Sequence, residues 1–170
     1  MVNKIKQNNS SSCFVCGINN SFGLKTRFYE INGKFLISIS TTMNEHQGYP
    51  GVVHGGITAA ILDEAIGRAI YCFDKGAWGV TADLSITYKH PVPLNQTLYS
   101  RAKITDNKKR IFYGEGELFL EDGTILALGK GKYMRVPVDK IGGEAFVSEE
   151  WFFVDDEEEP FIPEFLLNYD

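Results

Sequence analysis

Hydrophobic and polar positions along this chain follow two periods. From Leu24 to Ile31 (LKTRFYEI) and from Lys34 to Ser40 (KFLISIS) the pattern is strand-like, and the two runs are joined by Asn32-Gly33. That dipeptide suits a tight hairpin, because both positions tolerate positive φ. In the second run Phe35, Ile37 and Ile39 alternate with Leu36, Ser38 and Ser40, so one face is largely apolar. Alternation returns from Gly79 to His90 (GVTADLSITYKH), with Val80, Ala82, Leu84, Ile86 and Tyr88 pointing one way. Pro91-Val92-Pro93 breaks it. Thr97 to Thr105, Arg110 to Glu121 and Thr124 to Val136 continue the meander, with turns at Asp106-Asn107-Lys108 and Asp122-Gly123.

Between the hairpin and this meander the period changes. A Gly- and Pro-rich loop leads into GGITAAILDEAIGRAIYCF, which predicts a helix from His54 or Gly55 to about Phe73, ended by Asp74-Lys75-Gly76. Its charges are Asp63, Glu64 and Arg68. A helix that is apolar nearly all round is a buried helix. One helix among antiparallel strands is an α+β arrangement. One flat sheet cannot cover such a helix, so the sheet must curl around it or a second copy must close the other side. A homodimer is therefore expected.

Composition narrows the function classes. The 170 residues suit one domain, and the net charge of −5 comes without a Lys/Arg cluster, so no nucleic-acid partner is expected. The start, MVNKIKQNNSSSC, lacks the apolar core of a signal peptide, and no apolar run reaches membrane-spanning length. The expectation is a soluble, cytoplasmic protein with no membrane partner. Cys13, Cys16 and Cys72 form no disulfide framework. Cys13-Phe14-Val15-Cys16-Gly17 reads as a packed turn rather than a zinc or redox site, since a structural zinc needs four ligands. Residues 1–12 are polar and expected to be a flexible terminus, and 13–138 to form the folded domain. Residues 139–170 combine an acidic run, Asp155 to Glu159, with Phe146, Trp151, Phe152, Phe153, Phe161 and Phe165. That extension is expected to dock on the domain or to be partly disordered.

The helix start and its first carboxylate are the candidate chemistry. The first N–H groups of a helix have no intrahelical acceptor, glycines leave them uncovered, and the helix dipole adds partial positive charge. Gly55-Gly56 therefore suits an oxygen that becomes negative in a transition state, or a phosphate; tight helix–sheet packing is the alternative use. Asp63 lies seven residues after Gly56, about two turns on and near the same face. A charge in an apolar helix must be paired, hydrogen-bonded or functional. Glu64 and Arg68 have the favoured ion-pair spacing, which leaves Asp63 as the candidate base or nucleophile. His54 could cap the helix, orient a carbonyl or act as an acid. No G-x-S-x-G, Walker A, Rossmann glycine pattern or HExxH occurs, and no metal or cofactor is expected.

These residues carry a resemblance. Cys13-Phe-Val-Cys-Gly17 with Asn20 and Gly23-Leu24, Gly48-Tyr-Pro-Gly-Val-Val-His-Gly-Gly56, Leu62-Asp-Glu-Ala65, and Thr81 to Tyr88 with Pro91-Val-Pro93 resemble the hotdog-fold thioesterases of the 4-hydroxybenzoyl-CoA thioesterase/PaaI-like superfamily. The resemblance implies a hotdog fold, in which a curved antiparallel sheet wraps a long central helix. It implies a homodimer, often paired into a homotetramer, with the site between subunits. It implies hydrolysis of an acyl-CoA or related acyl thioester without a cofactor. Amides around Gly55 and Gly56 would polarise the carbonyl, Asp63 from the other subunit would activate water or attack, Thr81 would help position the water, and His54 would contact the thioester. Gln47, Gly48, Val53, Ile57, Glu64 and Tyr88 would line the substrate. Lys89, Arg101, Lys103, Lys108, Lys109 and Arg110 are candidates for phosphate contacts. One departure stands out: Gly48 occupies a loop position where relatives carry a water-holding Asn, and Gln47 or His46 is the available substitute. The alternative readings are an acyl-CoA- or lipid-binding hotdog module without turnover, and hydration or dehydration of an enoyl thioester.

Overall fold

The computed structural model describes residues 2–169. Seven strands form one antiparallel sheet in the order β1-β3-β4-β6-β7-β8-β5. They are β1 (Lys4–Lys6), β3 (Arg27–Ile31), β4 (Phe35–Thr41), β5 (Gly79–Tyr88), β6 (Thr97–Asn107), β7 (Ile111–Phe119) and β8 (Ile125–Arg135). A two-stranded ribbon pairs β2 (Asn9–Ser10) with β9 (Trp151–Phe152). The expected hairpin is present: Asn32 and Gly33 both take positive φ, and Ile31 pairs with Phe35.

Helix α1 (Gly55–Arg68) lies across one face of the sheet and continues as a 3-10 turn, Ala69–Cys72. Its Ile61, Leu62, Ala65 and Ile66 are fully buried, together with Phe28, Leu36, Phe112 and Leu126 from the strands. Close approach requires strand glycines. A Cβ on Gly114 would lie 2.6 Å from Ile66 Cγ2, and one on Gly116 would lie 2.9 Å from Ile66 Cγ1. Both are well inside carbon–carbon contact distance, so a side chain at either position of β7 would displace Ile66.

The alternation in β4 has a different meaning from the expected one. Leu36 faces the helix core, while Phe35, Ile37 and Ile39 belong to a second apolar cluster on the outer face with Tyr29, Ile31, Tyr99 and Phe119. The chain's own C-terminus covers it: Leu166 is fully buried there, and Ile162, Leu167 and Tyr169 pack around it. The buried hydroxyls of β4 are each paired with another hydroxyl, Ser38 with Ser100 and Ser40 with Thr26.

The expectation of a flexible start at residues 1–12 is corrected. β1 pairs with β3 from Lys4↔Ile31 to Lys6↔Tyr29. Gln7, Asn9 and Ser10 are buried, and Asn9 Nδ2 donates to the carbonyls of Cys16 (2.7 Å) and Thr26 (3.0 Å). Polar side chains here complete buried backbone groups rather than solvating a loose end. Within the C-terminal extension, α2 (Val138–Gly142) and α3 (Phe146–Glu149) precede β9, and the rest runs across the outer face of the sheet.

Candidate active site

Asp63 sits on the α1 turn that faces β5 and β8. The Thr81 hydroxyl lies 2.9 and 3.1 Å from its two carboxylate oxygens. The Tyr133 hydroxyl lies 3.1 Å from Asp63 Oδ1 and 3.0 Å from the Asp63 carbonyl oxygen. Strand pairing puts both donors on one face, because Thr81 and Tyr133 are direct cross-strand partners. A bulge between Thr81 and Asp83 is needed for this. Simple alternation sets Thr81 opposite to Leu84 and Ile86; the extra residue, Ala82, turns Thr81 to the helix side. Tyr133 is held by Phe112, stacked at 5.0 Å and 11°.

Burial pushes the Asp63 carboxyl above its ordinary range, while the Thr81 and Tyr133 hydrogen bonds pull it down and the neighbouring Glu64 charge adds to the rise. Burial also raises the Tyr133 phenol, with the Asp63 charge contributing, so Tyr133 stays a donor. The Asp63 group borders a cavity of about 420 Å³ whose other walls include Tyr71, Trp78, Phe146 and Trp151. Tyr133 was not found from the sequence. It lies 70 residues from Asp63, and no local pattern points to it.

Glu64 faces the same cavity but is paired: Arg68 Nε donates to its Oε1 at 2.8 Å, as the spacing predicts. Arg68 also donates to the Asn8 carbonyl (2.8 Å) and to Cys16 Sγ (2.9 Å), and its guanidinium lies over Phe28 and Trp151. Cys13, Cys16 and Glu64 bring three ligand atoms within 4.8 Å of one another. The Arg68 guanidinium bonds two of these three, so a fixed positive charge already answers the donor set a cation would use. Residues 13–17 form the packed turn, closed by Gly17 N–H donating to the Cys13 carbonyl at 2.8 Å.

The start of α1 forms a second group of residues. His54 is the N-cap, and its Nδ1 accepts the Gly56 N–H at 2.9 Å. This leaves Nε2 as the protonated nitrogen of the neutral ring. Ile57 and Thr58 N–H donate to the His54 carbonyl. Among the described residues no acceptor faces the Gly55 N–H. The pair Gly55-Gly56 is therefore unequal: Gly55 offers the open donor and Gly56 is spent on the cap. Tyr88 donates to the Gly55 carbonyl at 2.7 Å. Val53, Gly55 and Tyr88 border one shallow groove, and Gly48, Val53, His54 and Gly55 another. Ile57 packs against the helix core.

The loop before His54 has its own logic. A Cβ on Gly48 would lie 2.9 Å from His54 Cα, so a side chain there would push the N-cap out of place. Gln47 Oε1 accepts the Gly51 N–H at 3.1 Å. Buried His46 accepts the Met43 N–H on Nδ1 (3.1 Å) and donates from Nε2 to the Phe22 carbonyl (2.7 Å). Both substitutes for the missing Asn are thus engaged inside the loop, and His46 has no ring nitrogen left for water.

The phosphate candidates scatter. Lys89 and Arg101 border a concavity of about 820 Å³ on the outer sheet face with Lys130, remote from Asp63. Arg101 is committed there to Glu117 and to the carbonyls of Phe165 and Asn168. Lys103 pairs with Glu115 and Lys108 with Asp106.

Asp63, Thr81 and Glu64 thus lie together at one end of the arrangement, and His54, Gly55, Gly48, Val53 and Tyr88 at the other. Eight residues of helix separate Gly55 from Asp63, a rise of about 12 Å.

Comparison with known proteins shows the family and the fold. A family model described as "Thioesterase superfamily" matches residues 50–127. Mouse acyl-coenzyme A thioesterase 13 is 30% identical over 96 residues, which cover 56% of this chain and 69% of the mouse protein. Human acyl-coenzyme A thioesterase 13 is 31% identical over 87 residues, 51% of this chain and 62% of the human one. The chain thus spans less than two thirds of the length of that relative. Among solved structures, a thioesterase superfamily protein aligns with TM-score 0.65 and 28% identity, covering 72% of this chain and 59% of its own. The Escherichia coli PaaI protein aligns with TM-score 0.59 and 21% identity, covering 66% and 80%. The BH2602 protein from Bacillus halodurans, solved with CoA, aligns with TM-score 0.54 and 28% identity, covering 59% and 66%. The sheet wrapped on α1 is the hotdog fold.

Proposed function

This chain belongs to the thioesterase superfamily, and from that premise we propose that it hydrolyses an acyl-CoA to the free acid and the CoA thiol. The observation that carries this reading is the Asp63 carboxylate, held by Thr81 and Tyr133 at the edge of an apolar cavity with its pKa raised. A carboxylate so placed is a stronger base than one in water, and a positioned base is worth about 10²–10⁴-fold in rate. Asp63 takes the proton of an attacking water, or attacks the carbonyl itself. Thr81 fixes the carboxylate and helps position the water. The carbonyl oxygen becomes negative and is met by the open N–H of Gly55, a donor of the kind worth about 3–4 kcal/mol. His54 Nε2–H reaches the thioester from the same side. The thiolate departs without further help, being a good leaving group.

A carbonyl and its attacking water lie about 3 Å apart, whereas one chain separates its own Gly55 and Asp63 by four times that. Each site therefore combines Asp63 with Gly55 of the partner subunit, and the protein is a homodimer. β5 supports this: it pairs with β8 on one side only, ends the sheet, and leaves Val80 and Tyr88 exposed. A ten-residue open edge beside the site is a template for a second copy. A homotetramer would have to form with the outer face of β3, β4 and β6 already covered by Leu166 and its neighbours. Free Cys13, Cys16 and Cys72 support residence in a reducing compartment, the cytoplasm. No helix among the described residues is long and apolar enough to cross a membrane.

The test is thiol release from a panel of acyl-CoAs. Wild type is expected to turn over at least one, and Asp63→Asn to lose about 10²–10⁴-fold of that rate. Asp63→Asn turning over as fast as wild type would overturn the assignment. A second reading rests on the loop: Gly48 has no side chain, His46 is engaged through both ring nitrogens, and Gln47 Oε1 is tied to the Gly51 N–H. On that reading the chain binds acyl-CoA without turnover, and tight binding with no thiol release from wild type is its signature.

A further inference from the structure

The cavity beside Asp63 is bordered by the turn holding Cys13 and Cys16, by β5 and by β8, and three further segments supply most of its aromatic wall. The end of α1 and its 3-10 turn supply Gly67 and Tyr71, the segment before β5 supplies Ala77 and Trp78, and the C-terminal extension supplies Phe146, Glu150 and Trp151. The last group lies beyond the residues matched by the superfamily model, which end at 127. This wall is therefore an addition of the extension and not part of the matched segment.

The wall is anchored. Trp151 pairs with Ser10 in the β2–β9 ribbon, and the Ser11 N–H donates to the Glu150 carbonyl at 3.0 Å. The Arg68 guanidinium lies 4.4 Å from the Trp151 ring centroid. Trp151 meets Trp78 edge-on at 5.1 Å, and Phe146 meets Trp78 at 5.4 Å. Tyr71 completes the group at 5.8 Å from Trp78. These spacings are those of favourable aromatic pairs. The result is a rigid end to the cavity, built from rings that cannot fold away as a Met or Leu could.

Resting on the thioesterase reading, we propose that Phe146 and Trp151 of the C-terminal extension are the specificity-determining end wall of the acyl pocket, selecting compact, ring-bearing or short acyl groups over long straight chains. The acyl part of a thioester is the part without amides or phosphates, so it is the part that enters an aromatic cavity. A flat or short group meets the ring faces and edges. A long chain runs into Trp151 and Phe146 before its carbonyl reaches Asp63.

The chain contains two tryptophans, Trp78 and Trp151, and both line this cavity. Intrinsic fluorescence therefore reports the wall directly. Benzoyl-CoA titrated into Asp63→Asn, which holds the substrate unhydrolysed, is expected to shift the emission, while CoA alone leaves it unchanged. In wild type, benzoyl-CoA and hexanoyl-CoA are expected to be better substrates than palmitoyl-CoA. In Trp151→Ala and in Phe146→Ala the palmitoyl/benzoyl ratio of kcat/KM is expected to rise by about tenfold or more. Emission that responds equally to CoA alone, or a ratio unchanged in a variant that keeps wild-type circular dichroism, would overturn the proposal. A variant that fails to fold leaves the fluorescence measurement to decide it, because that measurement keeps both tryptophans. If wild type turns over no thioester, it is the hydrolase reading that falls. Turnover together with a silent wall defeats only the present proposal.

Discussion

Asp63 keeps a charge that its surroundings oppose, and this fixes the sign of two measurements. Its folded-state pKa lies above the ordinary carboxylate value because of burial. Its contribution to stability is then present below the ordinary value and lost as pH rises through the folded one. At neutral pH the charged group costs stability. Asp63→Asn should therefore match or exceed the wild-type Tm at pH 7, with the difference shrinking toward acid, while thiol release is lost; a lower Tm at pH 7 would assign Asp63 a structural role instead. The wild-type rate should fall as pH drops through the raised value. Cys13 offers a second sign. The hydrogen bond from Cys16 lowers the Cys13 thiol to about 6, whereas burial is the main cause raising Cys72 to about 12. Iodoacetamide should label Cys13 well ahead of Cys72 at pH 7, the rate climbing through about pH 6 and then levelling, as peptide mass mapping would show. At this scale the sequence separates Asp63 from Glu64 through the i,i+4 partner Arg68. It does not reveal that Gly48 is set by contact with His54, that Gly56 is consumed by the cap, or that Tyr133 reaches Asp63. Each of these depends on contacts made only after folding.

The central elements were legible in kind and order: a hairpin, one buried helix, then β-elements, with the helix start expected at His54 or Gly55 and found at Gly55; β1, β2, β9, α2 and α3 were not. What alternation could not reveal is which side an apolar face looks to. Phe35, Ile37 and Ile39 turn away from α1 because a second apolar layer, the C-terminal tail, waits on the other side. Alternation also failed at β5, where the bulge before Asp83 reverses Thr81. The tail's share in the fold is measurable. Leu166 is fully buried on the outer face, and Leu166→Ala should cost about 2–5 kcal/mol, read as a fall in the urea midpoint with m unchanged. A loss near zero would mean the tail does not hold that face in solution. The start of α1 can be tested without disturbing the helix. Proline is tolerated at the first helical position, and His54 with ψ 136° already has the conformation a following proline demands. Gly55→Pro removes one N–H and little else. It should retain the wild-type circular dichroism and lose about 10²–10³-fold in kcat; unchanged kcat would exclude this amide from the reaction.

On the scale of the molecule, the proposed reading divides the work between copies at the open edge of β5 and between regions of one chain at the aromatic wall. On that reading, the wall that bounds the acyl pocket comes from the extension, and the edge that admits a second copy comes from the strand carrying Thr81. Hydrogen exchange should therefore find β5 amides protected in concentrated protein and released on dilution, in step with activity. The distance along α1 between Gly55 and Asp63 has a genetic consequence. If every site draws its acid from one subunit and its amide from the other, Asp63→Asn and Gly55→Pro are defects in different halves of a shared site. Unfolded together and refolded as a mixture, the two inactive proteins should complement: half the dimers are mixed, each mixed dimer carries one intact site of two, and about a quarter of wild-type activity returns. A mixture that stays inactive would mean each chain works alone.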